Sequence, residues 1–244
     1  MTKIFEKLPN AGKDSGGAEA RELVIPARVR PSLPEIVEDK LLSLNRRIEL
    51  LLVQGAGRVV EFAGTQTGHN TSRLVLEFAK LIARRLNKRV LLVTAGPLPY
   101  MRAGGNGNGS VKESWESVIR EGHPIDDYIH PLEEGMSLWF SQMSASPATL
   151  PSIINDPRFD SLMYSLRNRF DVVVIDSPPL SESSCAARLS SVSDGVVLIV
   201  EAGKTRWQVI KSQMQEIRAN NGTVLGAVLN NRRYYIPEFI YKRL

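Results

Sequence analysis

The chain has 244 residues, 43% of them hydrophobic, and a formal charge of +5, which suits one large α/β domain and excludes disorder throughout. No stretch approaches the ~18 consecutive apolar residues of a membrane span and the N-terminus lacks a signal-like apolar segment, so a cytosolic protein is expected. The single cysteine, Cys185, excludes an internal disulfide and a multi-thiolate zinc site, and the basic balance by itself establishes neither a membrane nor a nucleic-acid partner.

In chain order, residues 1–33 are polar and rich in Gly, Ala, Pro and charge, and read as a mobile arm with a short helix at 4–8. A domain is expected over 34–244, opening with a helix at 34–54 whose stripe is Ile36, Leu41, Leu44, Ile48 and Leu51. The run Val59 to Ala63 predicts a strand. A polar loop with two glycines follows, then a helix carrying Leu74, Val75, Phe78, Leu81 and Ile82 on one face. Residues 89–95 (RVLLVTA) predict a strand buried on both faces. The segment 96–110, with GGNGNG, reads as a flexible loop without regular structure.

Residues 114–120 predict a short helix and 137–142 a strand, followed by an amphipathic helix over 156–168 with Phe159, Leu162, Met163 and Leu166. FDVVVID, 170–176, predicts the clearest strand, and 194–201 and 223–229 two more. Cys185 falls in a helix as a buried small side chain. Between the last two strands, Trp207, Ile210, Met214 and Ile217 line one helix face and are expected in the core. Alternating strands and helices of this kind make a doubly wound, mostly parallel α/β sheet with right-handed crossovers.

Ligands of such sheets bind beyond the carboxyl ends of the strands, where the loop Gly64–Thr71 and Asp176 are both expected. A strand, a polar glycine-containing loop and a helix form the setting of a phosphate-binding P-loop, whose backbone N–H groups and helix dipole cradle phosphates. The motif G-x-x-x-x-G-K-[ST] nevertheless fails, because Asn70 and Thr71 stand where Gly and Lys are required before Ser72. Asp176 at the end of an apolar strand suits a Mg²⁺-holding or orienting carboxylate; its alternative role is an N-cap or loop brace. His69, His123 and His130 have no metal-ligand spacing, and Ser177 is not in a G-x-S-x-G elbow.

FDVVVIDSPPL, SDGVVLIVEAGKT and VLGAVLNNRRYYIPEFIYKRL together resemble the bacterial tyrosine kinases (BY-kinases) of capsule and exopolysaccharide biosynthesis, in their free-standing cytoplasmic form. MTKIFEKL and PATLPSIINDPRF are similar to further family segments, and the resemblance covers most of residues 56–244. It implies a P-loop NTPase-like fold of the MinD/BY-kinase type and a membrane partner, the polysaccharide co-polymerase that sets chain length. It also implies a homo-oligomer, no nucleic acid, and a location peripheral to the inner membrane through the partner.

Carried onto this sequence, the resemblance makes Gly68, Asn70, Thr71 and Ser72 a degenerate nucleotide loop. Ser72 and Asp176 become the Mg²⁺ ligands where Mg-nucleotide binds, and Asp176 a vestigial catalytic carboxylate. Residues 230–244 become a docking segment, with Tyr234, Tyr235 and Tyr241 as docking or phosphorylation residues. The departures from the family pattern are specific. Only Gly68 and Ser72 survive of PGxGK[ST], Thr94-Ala95-Gly96 replaces a D-x-D motif, and Leu41 and Leu44 replace two arginines of E-x-x-R-x-x-R.

A charge-assisted bond of the kind a P-loop lysine makes is worth about 1.5–3 kcal/mol, and more where charge develops. Thr71 offers a neutral hydroxyl, while Arg73, Lys88 and Lys204 are expected to be surface charges. The expected cofactor is therefore none, or weakly held ATP or ADP with Mg²⁺. The expected function is a catalytically degenerate BY-kinase-like regulator of polysaccharide synthesis and export. The alternatives are an active tyrosine autokinase with a non-standard loop and a MinD-like positioning ATPase.

Overall fold

The structure is a computed structural model that describes residues 23–24, 35–52, 57–66, 71–96, 102–103 and 114–231. The elements in chain order begin with β1 (Leu23–Val24), α1 (Glu35–Leu51), β2 (Arg58–Gly64), α2 (Thr71–Leu86), β3 (Val90–Thr94) and β4 (Arg102–Ala103). Next come α3 (Trp115–Glu121), a 3₁₀ turn (Ile125–Tyr128), β5 (His130–Pro131), β6 (Leu138–Gln142), α4 (Leu150–Ile154) and α5 (Pro157–Arg169). The last are β7 (Val172–Ser177), α6 (Ser184–Leu189), β8 (Gly195–Glu201), α7 (Trp207–Ala219) and β9 (Val224–Asn230).

Seven of the described strands form one sheet in the order β5-β6-β3-β7-β2-β8-β9, parallel throughout except for the short edge strand β5. The continuous apolar runs are the reason. β3 and β7 are buried at every position, as a parallel sheet covered on both faces requires. The doubly wound, mostly parallel fold expected from the sequence is the fold observed.

Alternation along the strands sorts the core into two helix-covered faces. Val60, Phe62, Leu92 and Val174 pack with α1 and α2 through Leu41, Ile48, Val75, Phe78 and Ile82. Val59, Leu91, Val173 and Ile175 face α3 to α6 through Trp115, Ile153, Phe159 and Leu189. Beyond β2, Val196, Leu198 and Val200 meet Ala186 and Ile217. Asp194 fastens the entry to β2: it accepts the Val59 N–H at 2.7 Å and pairs with Arg167 at 2.7 Å.

Several expectations change. Residues 1–33 were expected to be a mobile arm with a short helix at 4–8, and 96–110 a loop without regular structure, yet β1 and β4 pair as an antiparallel two-stranded sheet, Leu23 opposite Ala103. Backbone pairing across distant segments leaves no periodic trace in either one. Trp207 is 65% exposed rather than in the core, because it occupies the first residue of α7, beyond the sheet it would need to cover. Leu51 is likewise exposed, and Leu52 takes its place in the core as α1 ends. The short helix α4 and strand β5 were not anticipated. The helix expected at 4–8 lies outside the described residues.

Candidate functional site

β2 ends at Gly64, and the chain is held there from three sides. The Gly64 carbonyl accepts from Leu180 N–H at 3.0 Å, and Thr65 N–H donates to the Ile199 carbonyl at 3.0 Å. Gln213 of α7 donates through Nε2 to the Thr65 carbonyl at 2.8 Å, and the Thr65 and Thr205 hydroxyls lie 3.2 Å apart. The loop therefore leaves a pinned point, and α2 resumes at Thr71 with Ser72 next to it. No acidic side chain stands in the first turn of α2, so the positive end of its dipole is not neutralised from within.

β7 lies directly beside β2, with Phe62 opposite Asp176 and Ala63 opposite Ser177. On its other side β3 places Thr94 opposite Asp176. Parallel neighbours are ~4.8 Å apart, so Asp176, the loop's origin and the Thr94-Ala95-Gly96 segment share one end of the sheet. Asp176 is buried, and burial raises its carboxyl from the usual 3.8 to about 7, against the hydrogen-bonding influence of the Ser72 hydroxyl. The buried Thr94 Oγ1 has no hydrogen-bond partner. The strand end that the family resemblance would fill with carboxylates therefore holds an unsatisfied hydroxyl, a methyl group and a glycine.

Thr71, Ser72 and Asp176 are thus brought to one locus. Gly68 and Asn70 lie outside the described residues, as do Tyr234, Tyr235 and Tyr241. Of the basic residues that might have replaced the missing lysine, Lys88 pairs with Glu49 and Lys204 with Glu201 at 2.6 Å. The oxygen donors Ser72 and Asp176 fit a Mg²⁺ ion. Towards a phosphate, Thr71 at the head of α2 offers a neutral hydroxyl in place of a lysine ammonium. No catalytic step through such a group follows from this arrangement.

Sequence reasoning missed three features. Glu61, in the middle of β2, is completely buried, and burial lifts its carboxyl from 4.5 to about 8. Ser177 favours its ionised form, but that hydroxyl donates to the Phe62 carbonyl at 3.2 Å, and neither Glu61 oxygen has a hydrogen-bond partner. The lone charge inside the run VVEFA was its visible signal. The second feature is the Thr65–Gln213–Thr205 brace, which spans about 150 residues of sequence and leaves no local trace. The third is a cavity of about 600 Å³ beside Asp176, walled by Ala95, Gly96, Leu150, Pro178 and Glu182.

No protein-family model matches the chain. Among curated proteins it is 26% identical over 84 residues to the tyrosine-protein kinase CpsD of Streptococcus agalactiae, covering 34% of this chain and 37% of that protein. It is 26% identical over 189 residues to the succinoglycan biosynthesis transport protein ExoP of Rhizobium meliloti, covering 74% of this chain and 23% of that one. The chain thus spans well under half the length of either relative.

Among solved structures, the chimerical protein CapA2B2 superposes with a TM-score of 0.68 at 20% identity, over 80% of this chain and 85% of that one. The kinase domain of the Escherichia coli tyrosine kinase ETK gives 0.67 at 15% identity, over 82% and 79%. The Pyrococcus furiosus cell division ATPase MinD gives 0.57 at 13%, over 77% and 78%. These likenesses establish a P-loop NTPase-type α/β fold.

Proposed function

We propose, from the premise that the sequence relatives and fold neighbours of this chain include bacterial tyrosine kinases, that it is a catalytically degenerate protein of that kind. It regulates exopolysaccharide synthesis and export through a membrane chain-length co-polymerase, rather than by transferring phosphate. One observation carries the reading: β3 sets Thr94 opposite Asp176, and neither Thr94 nor the two residues after it, Ala95 and Gly96, carries a carboxylate. With a neutral Thr71 at the head of α2, charge on a transferring phosphoryl group would lack its cationic partner.

The partner accounts for membrane location, since no helix among the described residues is long and apolar enough to cross a bilayer. Self-association into a homo-oligomer belongs to the same reading. The competing reading, an active autokinase, draws on the retained pair Ser72 and Asp176, which still supplies two oxygen donors for Mg²⁺.

Titration of the purified protein with labelled Mg·ATP and Mg·ADP separates the two. Weak or absent binding and no tyrosine phosphorylation are expected. Asn70→Gly combined with Thr71→Lys should then raise ATP affinity by about tenfold or more, the equivalent of one charge-assisted bond. Micromolar binding by the unaltered chain together with autophosphorylation overturns the degenerate reading.

A further inference from the structure

Two large apolar side chains stand in solvent at one corner of the sheet. β9 is an edge strand, and it pairs with β8 so that Ala227 lies opposite Leu198 and Leu229 opposite Val200. Leu198 and Val200 pack with Ile217 of α7, so alternation turns Ala227 and Leu229 to the side that α7 covers. Leu229 is nevertheless 62% exposed, and Trp207 65%. α7 runs from the end of β8 back to the start of β9. Its first residue, Trp207, therefore stands at the end of the sheet that Leu229 occupies.

The exposed surface of α7 is basic. Arg206, Lys211 and Arg218 are exposed, and none of the three enters an ion pair among the described residues. Trp207, Lys211 and Arg218 are spaced by four and seven residues, which sets them within about 40° of one another around the helix. Between residues 201 and 231 the acids are Glu201 and Glu216. Glu201 pairs with Lys204 at 2.6 Å. Glu216 is half-buried and lies on the side of α7 away from Trp207. The first turn of α7 holds no acid, and Arg206 at the N-cap makes no side-chain cap, so the positive end of the helix dipole adds to the cations.

We infer that this corner docks on the surface of an anionic lipid bilayer. Trp207 and Leu229 reach the boundary between headgroups and acyl chains, and Arg206, Lys211 and Arg218 lie against the lipid phosphates. A tryptophan ring suits that depth, because its body is apolar while its N–H stays wet. Lysine and arginine lay their stems along the same boundary and carry their charge to the headgroups. An acidic polypeptide answers the cations alone, whereas a bilayer answers the cations and both apolar side chains together. Each cation near such a surface contributes about fivefold in affinity, so three of them with one aromatic make a reversible contact. A membrane partner that already holds the chain raises the effective concentration of bilayer at this corner. The inference goes beyond the proposed function, and it holds whether or not the chain binds nucleotide.

The test is co-sedimentation of the full chain with vesicles of phosphatidylcholine alone and of phosphatidylcholine with about one-third phosphatidylglycerol. No co-polymerase is present, so the outcome is independent of that partner. Binding to the anionic vesicles only, weakened at about half-molar salt, is expected. Lipids brominated on the acyl chain should quench tryptophan emission. Trp207→Ser should remove that quenching, since Trp115 is buried and Trp139 half-buried. Lys211→Glu with Arg218→Glu should weaken binding by at least about twenty-fivefold, two cations at fivefold each. Arg46→Glu with Arg47→Glu makes the same change of net charge on α1, across the sheet, and should leave binding within about twofold. Thermal melts confirm that each variant folds. Absent or charge-independent vesicle binding overturns the inference, as does equal loss in the α1 and α7 variants. Binding that survives the α7 variants but is lost on deletion of 234–244 places the contact in that segment and overturns it too. Retention on polyglutamate as tight as on the vesicles, with no quenching of Trp207, identifies an acidic protein surface instead.

Discussion

Glu61 and Asp176 are buried carboxyl groups on adjacent strands, and they face opposite sides of the sheet. Asp176 lies at the strand end beside a cavity, where a ligand can complete its environment. Glu61 lies mid-strand among apolar side chains with neither oxygen hydrogen-bonded. Both hold their protons more tightly folded than unfolded, toward about 8 for Glu61 and about 7 for Asp176. The sign follows from linkage. Their contribution to stability is fully present below the unfolded values of 4.5 and 3.8, and it is lost as pH rises through the folded ones. Glu61→Gln removes the larger ionisable burden, so its gain should grow with pH, from little at pH 5 to about 2–4 kcal/mol at pH 9. Urea denaturation across that range measures it. A stability difference that does not vary with pH would mean that Glu61 is ionised and partnered in the native state.

At the scale of elements, the site depends on how β2 enters and leaves the sheet. Its exit is pinned at Gly64 and Thr65, as described above. Its entry is tied to α5 by Asp194 and Arg167, and by the close approach of Gly57 to the end of that helix. A Cβ on Gly57 would collide with the backbone carbonyls of Arg167 and Phe170. Backbone atoms cannot turn aside as a side chain does, so relief would have to come from a shift of α5 or of β2. Gly57→Ala should therefore cost at least the 1–3 kcal/mol typical of overpacking, about a 2–10 °C fall in melting temperature. Trp207→Ser, at the exposed head of α7, should change stability by less than about 0.5 kcal/mol. Differential scanning calorimetry on the pair distinguishes a packed junction from a free surface.

For the whole molecule, a protein that acts without phosphoryl transfer must bias a partner through differential contacts with its states. The segment 232–244 follows β9 directly and holds Tyr234, Tyr235 and Tyr241. Residues 232–244 lie outside the described residues, and the role of 230–244 as a docking segment is part of the proposed function. Deleting residues 234–244 is expected to abolish co-purification with the co-polymerase while leaving thermal unfolding nearly unchanged. A large fall in stability would assign the segment to the protein's own core and remove it from the interface.

The sequence by itself determined the parallel sheet, because strands buried on both faces must be continuously apolar, and VVVID, VLLVT and VVLIV announce this without any knowledge of their neighbours. It also determined that Asp176 sits at a strand end, since the apolar run stops there. The α2 stripe was equally legible, because Val75, Phe78 and Ile82 repeat at the spacing of one helix face. Only the tertiary structure decided which residues such patterns bring together. A helix stripe says that one face is covered, but not where the covering sheet ends, and so Trp207 continues the α7 pattern yet stands in solvent. The pairing of β1 with β4, the isolation of Glu61 and the cavity beside Asp176 arise from contacts between segments far apart in the chain. No local period encodes such contacts, because they depend on strand order and on how closely the layers meet.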